Sequence, residues 1–297
     1  MSAEPLPPGW RRVTSHDGTG IAWRVDGPAG DVAVILCNGI CCDDTYFTHV
    51  WAPLAQTAPV VRWHYRGHGF SQRPAHPDAV TVAACVGDLA AVMDAAEVDR
   101  AVLVGHSYGV QLVFEAWQQL TGRVAGIAAV AGAYGHPITT IRGWNPGVVV
   151  FDLMRWCISV PGAEALWDAA LRSPVAFSFA RMARFAGPKA ARDDMARWFD
   201  HLADRDMRLM FRMMREMQAH TTEDLLPQVD VPVVVMPGGS DPYTPPRLWE
   251  RVVPTMRDAR LVVVPGATHV LPIEEPQLVV DEVRVLLRRA GGRAPPP

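Results

Sequence analysis

No apolar run in this chain approaches the roughly 20 residues that a bilayer-spanning helix needs. The opening residues, MSAEPLPPGWRR, hold no apolar segment of the secretory kind, so the cytoplasm is the expected location and a membrane is not an expected partner. Charge of either sign is not in excess: 28 Lys and Arg stand against 31 Asp and Glu, a formal net charge of −3. That balance gives no basic footprint for nucleic acid. Cysteine is scarce and odd in number, at Cys37, Cys41, Cys42, Cys85 and Cys157, with no C-x-x-C spacing. Such a set reads as reduced thiols rather than a disulfide framework or a zinc site. The motifs H-E-x-x-H, G-K-[ST] and G-x-G-x-x-G are missing as well, so no metal and no cofactor are expected.

What is present is an ordinary core-forming composition, 49% hydrophobic and 20% charged over 297 residues. Short β-type runs alternate with helical patterns, which predicts a mostly parallel sheet covered by helices. Strands are expected near 11–15, 20–26, 32–37, 58–64, 100–104, 124–131, 231–237 and 259–264. Helices are expected near 44–56, 80–96, 108–121, 245–253 and 275–289. Asp17-Gly18 marks a hairpin between the first two strands, so the sheet should open antiparallel. The alternation breaks between Tyr134 and Pro227, a stretch rich in Trp, Met and Arg that reads as a helical insertion after the sixth strand. The expected division is a core of 10–133 and 228–290, a cap of 134–227, and tails of 1–9 and 291–297. Within the insertion, Met207, Met210, Phe211, Met214 and Met217 share one helical face, which reads first as that helix's core face. Arg205, Arg208, Arg212 and Arg215 share another, which reads as solvated.

One pentapeptide stands out. Gly105-His106-Ser107-Tyr108-Gly109 follows the strand run Ala101 to Val104 and precedes an amphipathic helix pattern. A G-x-S-x-G string should occur about 0.1 times by chance in a chain of this length and composition. Its place between strand and helix predicts a serine on a strained turn, with glycines where a Cβ would clash. His106 is expected to face away from the serine, because adjacent strand residues point to opposite sides.

In an open α/β sheet, functional residues gather on the loops that leave the carboxyl ends of strands. Here one such loop carries Ser107. Gly238-Gly239-Ser240-Asp241 carries Asp241, Ala267-Thr268-His269 carries His269, and Asn38-Gly39-Ile40-Cys41-Cys42 follows the third strand. A serine hydroxyl needs a base to take its proton, and histidine suits that task near neutral pH. A carboxylate on the far ring nitrogen fixes the tautomer and stabilises the imidazolium, a role for Asp241. The developing oxyanion needs backbone N–H donors, for which Tyr108 and Ile40 are placed. Asp43, Asp44 and Asp152 are weaker choices for the acid, since none directly follows a core strand. His64 and His68 read as structural hydrogen-bonding groups.

These motifs resemble the α/β-hydrolase superfamily, in its capped esterase, haloperoxidase and lactonase-like branch. The resemblance rests on GHSYG, on GGSDPYTP, on GATHVLPIEEP and on Arg66-Gly67-His68-Gly69-Phe70-Ser71, which is similar to that family's R-G-x-G-x-S turn. Three positions depart from its pattern. Asn38-Gly39 stands where relatives have His-Gly, and His64 stands where they have an acid. Cys41-Cys42 lies beside the oxyanion turn, where two small residues packing a crowded loop is the first reading. A serine at 107 argues against the dehalogenase and epoxide-hydrolase members, which use aspartate there.

The resulting expectation is a carboxylesterase-type hydrolase (EC 3.1.1) acting on a small-molecule ester or lactone through an acyl-enzyme. The catalytic residues are Ser107, Asp241 and His269, and Tyr108 and Ile40 supply the oxyanion hole. Asn38, Cys41, Trp144, Trp156, Met210 and Met214 are pocket candidates. A C–C bond hydrolase or lyase using the same three residues remains an alternative, as does a ligand-sensing protein with little turnover.

Overall fold

A computed structural model of the chain describes residues 5–137, 160 and 162–291. Eight strands form one sheet: β1 (Arg11–Thr14), β2 (Gly20–Asp26), β3 (Ala33–Cys37), β4 (Val60–Trp63), β5 (Ala101–His106), β6 (Val124–Val130), β7 (Val233–Met236) and β8 (Ala259–Leu261). Their order is β1-β2-β4-β3-β5-β6-β7-β8. β2 pairs antiparallel with β1 and with β4, and every later pairing is parallel.

The central strands are buried along their whole length, which is why they read as unbroken apolar runs rather than alternating ones. Their side chains still divide between two faces. Ile35, Leu103, Ile127 and Val235 join one core with the helices α2 (Val82–Ala95) and α3 (Tyr108–Gln119). Val34, Leu36, Val102, Val104 and Val234 join the other, beneath α1 (Thr48–Leu54) and the C-terminal helix Pro276–Arg289. Among the described residues, no helix is long and apolar enough to cross a membrane.

After β4 the chain turns around Arg66, whose side chain is fully buried. It donates Nε and Nη2 to the two oxygens of Asp88 at 2.8 and 2.6 Å, and Nη1 to Asp17 at 2.8 Å. The bidentate geometry compensates the buried charges and anchors the R-G-x-G turn to α2.

The expected helix at 44–56 divides in two. Asp43 accepts the Thr45 amide, which starts a tight 3₁₀ turn at Asp44–Phe47, and the α-helix begins only at Thr48. Between β6 and β7 lie helices at Ala163–Leu171, Val175–Met182, Arg192–Ala203 and Met207–Ala219. The stretch leaves and returns at one place: Gly135 bridges Thr221, and the Thr222 amide donates to the Tyr134 carbonyl at 2.9 Å. Arg205 departs from the expected solvated row. Its side chain is 8% exposed and reaches across to Asp43 at 3.6 Å, beside the turn after β3. Arg208 and Arg215 are exposed as expected.

Candidate active site

Ser107 sits between the end of β5 and the start of α3 with φ 54° and ψ −113°, a strained conformation for a residue with a Cβ. Close backbone approach requires both flanking glycines. A Cβ on Gly105 would come within 2.4 Å of the Gly109 carbonyl oxygen, and one on Gly109 within 2.1 Å of the Cys37 carbonyl oxygen. The Ser107 hydroxyl lies 3.0 Å from Nε2 of His269, whose Nδ1 lies 2.9 Å from Asp241 Oδ2. The three side chains thus form one hydrogen-bonded line, with Asp241 2% and His269 7% exposed.

Asp241 is held by more than the imidazole. Its Oδ1 accepts the amides of Tyr243 and Thr244 at 2.8 and 3.2 Å, and its Oδ2 accepts the Thr244 hydroxyl at 2.6 Å. Burial works to raise the carboxyl's pKa, but His269 and these donors together bring it below the ordinary value. The carboxylate therefore stays ionised at neutral pH.

Tyr108 opens α3, so its N–H is among the first-turn donors that have no intrahelical acceptor. The Gly39-Ile40 turn lies alongside: a Cβ on Gly39 would meet the Ser107 Cβ at 3.2 Å. The next two amides are engaged, Cys41 donating to His68 Nε2 at 3.3 Å and Cys42 to the Gly39 carbonyl at 3.3 Å. Ile40, between Gly39 and these two residues, lines the cavity together with Ser107.

Above Ser107 opens a cavity of about 380 Å³. Met207, Met210, Phe211, Met214 and Met217 all line it, so the face expected to be core is also its wall, while Leu209 and Met213 on the same helix join the main core. Trp198 and Phe185 close another side. Cys41 and Cys42 line it too, and burial pushes the Cys41 thiol up to about 12 and the Cys42 thiol well above its ordinary value. Both thiols are therefore protonated at neutral pH and act as small apolar groups.

Other expectations differ. Asn38 is buried beneath the turn, 3% exposed, and does not line the cavity; its carbonyl accepts the Tyr65 hydroxyl at 2.7 Å. Close packing of the end of β3 against α3 buries it there: a Cβ on Gly109 would stand 2.9 Å from the Asn38 carbonyl oxygen. Trp144, Trp156, Cys157 and Asp152 lie outside the described residues. Asp43 and Asp44 are engaged elsewhere, Asp43 with His201 at 2.9 Å and Asp44 with His64 at 2.9 Å. His106 keeps the face of Val102 and Val104, as strand alternation predicts, with its ring on Tyr46 and Phe47. From there its Nε2 lies 2.9 Å from the His269 carbonyl oxygen, and it borders the cavity. Gln111 was not singled out, although it follows Ser107 by one helical turn and so shares its face. It borders the cavity and donates to the Met217 carbonyl at 3.0 Å.

A mostly parallel eight-stranded sheet with a serine on a strained strand-to-helix turn defines an α/β-fold hydrolase. The chain belongs to the alpha/beta hydrolase family, whose model matches residues 34–282. A protein of Caulobacter segnis, provisionally named the carbamate hydrolase RutD, is 28% identical over 140 residues, 45% of this chain and 46% of that protein. The 2-hydroxy-6-oxo-2,4-heptadienoate hydrolase of Pseudomonas putida is 30% identical over 175 residues, 52% of this chain and 60% of the relative. The chain spans about half the length of the curated relatives it matches. A thermophilic esterase from Thermogutta terrifontis, solved with malate bound, shares the fold with a TM-score of 0.74 at 21% identity, over 95% of this chain and 98% of its own.

Proposed function

We propose that this protein is a serine hydrolase of the carboxylesterase type, cleaving an uncharged ester or lactone through an acyl-enzyme. The observation that carries this reading is the line from Ser107 through His269 to Asp241, with spacings of 3.0 and 2.9 Å. Ser107 attacks the carbonyl carbon as His269 Nε2 takes its proton, and Asp241 stabilises the imidazolium. The carbonyl oxygen becomes the oxyanion, held by the amides of Tyr108 and Ile40. His269 then gives its proton to the leaving alcohol. Water, deprotonated by the same nitrogen, attacks the acyl carbon and frees the acid and Ser107. Residues 134–227 act as the cap that excludes water and shapes the acyl pocket.

The cavity favours esters over the C–C bond hydrolase alternative. The Pseudomonas putida relative is named for a substrate with a carboxylate. In this chain the wall above Ser107 is Met, Trp, Phe and Leu, and no Lys or Arg lines it among the described residues. Burying an unpaired carboxylate there would be costly. A fluorophosphonate probe should label the wild type rapidly and Ser107→Ala not at all. In a panel of p-nitrophenyl esters, lactones and vinylogous diketone acids, neutral esters should turn over fastest. Rapid turnover of the diketone acids alone would replace this reading with C–C hydrolysis.

A further inference from the structure

The loop that carries His269 is tied to the inserted helices by a carboxylate with no catalytic task in the reaction above. Glu274 ends the short helix Leu271–Glu274 and is 6% exposed. Its Oε2 accepts the Thr268 amide at 2.6 Å and lies 3.0 Å from the Thr268 hydroxyl. Its Oε1 accepts the Gly187 amide at 2.7 Å. Its partners are thus amides and a hydroxyl rather than a cation. A carboxylate buried in this way is tolerated only when its lone pairs are filled, so the three segments are held in one geometry.

The Gly187 side of this junction reaches the imidazole directly. The Thr268 hydroxyl also lies 3.0 Å from the Phe185 carbonyl oxygen. The Phe185 ring, two residues before Gly187, packs on His269 with centroids 5.2 Å apart and stacks on Trp198 at 5.0 Å. There is no room for more than a glycine at the joint: a Cβ on Gly187 would stand 2.4 Å from Glu274 Oε1.

We propose that Glu274 is a positioning residue that couples the seating of the inserted helices to the placement of His269. One carboxyl oxygen fixes the residue before the base, and the other fixes the segment that packs Phe185 against the base. When Gly187 is docked, His269 is braced from both sides. When it is not, Oε1 loses its donor and the imidazole loses Phe185. The proposal rests on His269 being the base, but its test has an arm that does not.

Glu274→Gln replaces one acceptor oxygen with a donor facing an amide. With the fold intact by circular dichroism, kcat should fall about 10- to 100-fold, the scale of a small misplacement of a reacting group, while KM moves less than about threefold. Gly187→Ala attacks the same joint from the cap side, and Thr268→Val removes only the hydroxyl; both should lower kcat in the same direction. Combining Glu274→Gln with Gly187→Ala should be little worse than the more damaging single change. The arm that needs no substrate is the low-field Nδ1 proton resonance of His269 in its bond to Asp241. It should broaden or vanish in Glu274→Gln and in Gly187→Ala. A folded Glu274→Gln with wild-type kcat and an unchanged resonance overturns the proposal. Should that variant not fold, wild-type kcat and resonance in Gly187→Ala and Thr268→Val overturn it equally. A wild type that hydrolyses nothing but loses the resonance in both variants would leave the coupling standing and remove only the esterase reading.

Discussion

At the scale of single residues, the proposed reaction requires Ser107, His269 and Asp241 to act as a unit. Ser107→Ala and His269→Ala should each lower ester turnover by several orders of magnitude, and the double variant should be scarcely worse than either, because what remains is the oxyanion donors and binding. Steady-state kinetics on one p-nitrophenyl ester checks this, and more than a tenth of wild-type rate in Ser107→Ala would remove the nucleophile assignment. Asp241→Asn keeps the shape of the acid but reverses its hydrogen bonding to Nδ1, so kcat should drop by up to about 10⁴. Asp43→Asn is the control for the acid's identity, since Asp43 pairs with His201 rather than with His269. If it proved the more damaging of the two, the acid would have to be reassigned. With the Cys41 and Cys42 thiols both pushed up by burial, iodoacetamide at pH 7 should modify them far more slowly than an exposed cysteine.

At the scale of elements, the joint between β3 and α3 tolerates little. A Cβ at Gly109 meets the Cys37 carbonyl oxygen at 2.1 Å, and backbone cannot yield as a side chain can. Gly109→Ala should therefore destabilise the fold by about 1–3 kcal/mol or more, the range for overpacking, read as a lower urea midpoint. On the opposite wall, Met210→Ala and Met214→Ala should move the preference among C2 to C10 esters towards longer chains. The discrimination is about 1–3 kcal/mol per methylene fitted. An unchanged profile in both folded variants would mean that this face does not meet the acyl group.

The central strands were legible in the sequence because strands buried on both faces leave continuous apolar runs, β1 and β2 were marked by their Asp17-Gly18 hairpin, and the loops after β3, β5, β7 and β8 followed from strand ends. What alternation could not give was the neighbour: His106 keeps the face of Val102 and Val104, and only the fold brings the His269 carbonyl to its Nε2. Arg205 alone departs from the solvated row, because the helix begins only at Met207 after its N-cap Asp206, and the residue before that cap turns to Asp43. Glu274 and Glu275 are adjacent acids that nothing in the sequence separates. Only the fold tells the buried acid from the one that pairs with Lys189 at the surface.

At the scale of the whole molecule, acid should unfold this protein early. His68 and His106 are fully buried, and burial above all lowers each to about 3. In the unfolded chain both would titrate near the ordinary 6.5. Below that value the unfolded state binds protons that the folded state refuses, so stability falls as pH falls from about 6 towards 3. Two such groups give a slope of about 2–3 kcal/mol per pH unit. His201 acts oppositely. Its pKa is raised, chiefly by the hydrogen bond to Asp43, so its contribution is complete below the ordinary imidazole value and is lost as pH rises through the raised one. Half-exposed, it offsets little of the slope. Urea midpoints at pH 7, 6, 5 and 4 check this, and His68→Gln should remove about half of the dependence. A flat profile down to pH 4 would contradict the buried neutral state of both imidazoles.

The pairing of Gly135 with Thr221 has a consequence for how such a protein can change. Because the chain exits and re-enters the sheet layer through a single doorway, the described helices between the two posts are lodgers, although Leu209 and Met213 reach into the main core. A short turn could join Tyr134 to Thr222 without displacing a strand, and a different set of helices could be let in by the same door. The machinery below would keep its bond-breaking geometry while the new occupant, provided it brought its own amide to the waiting Glu274 oxygen, chose the customers.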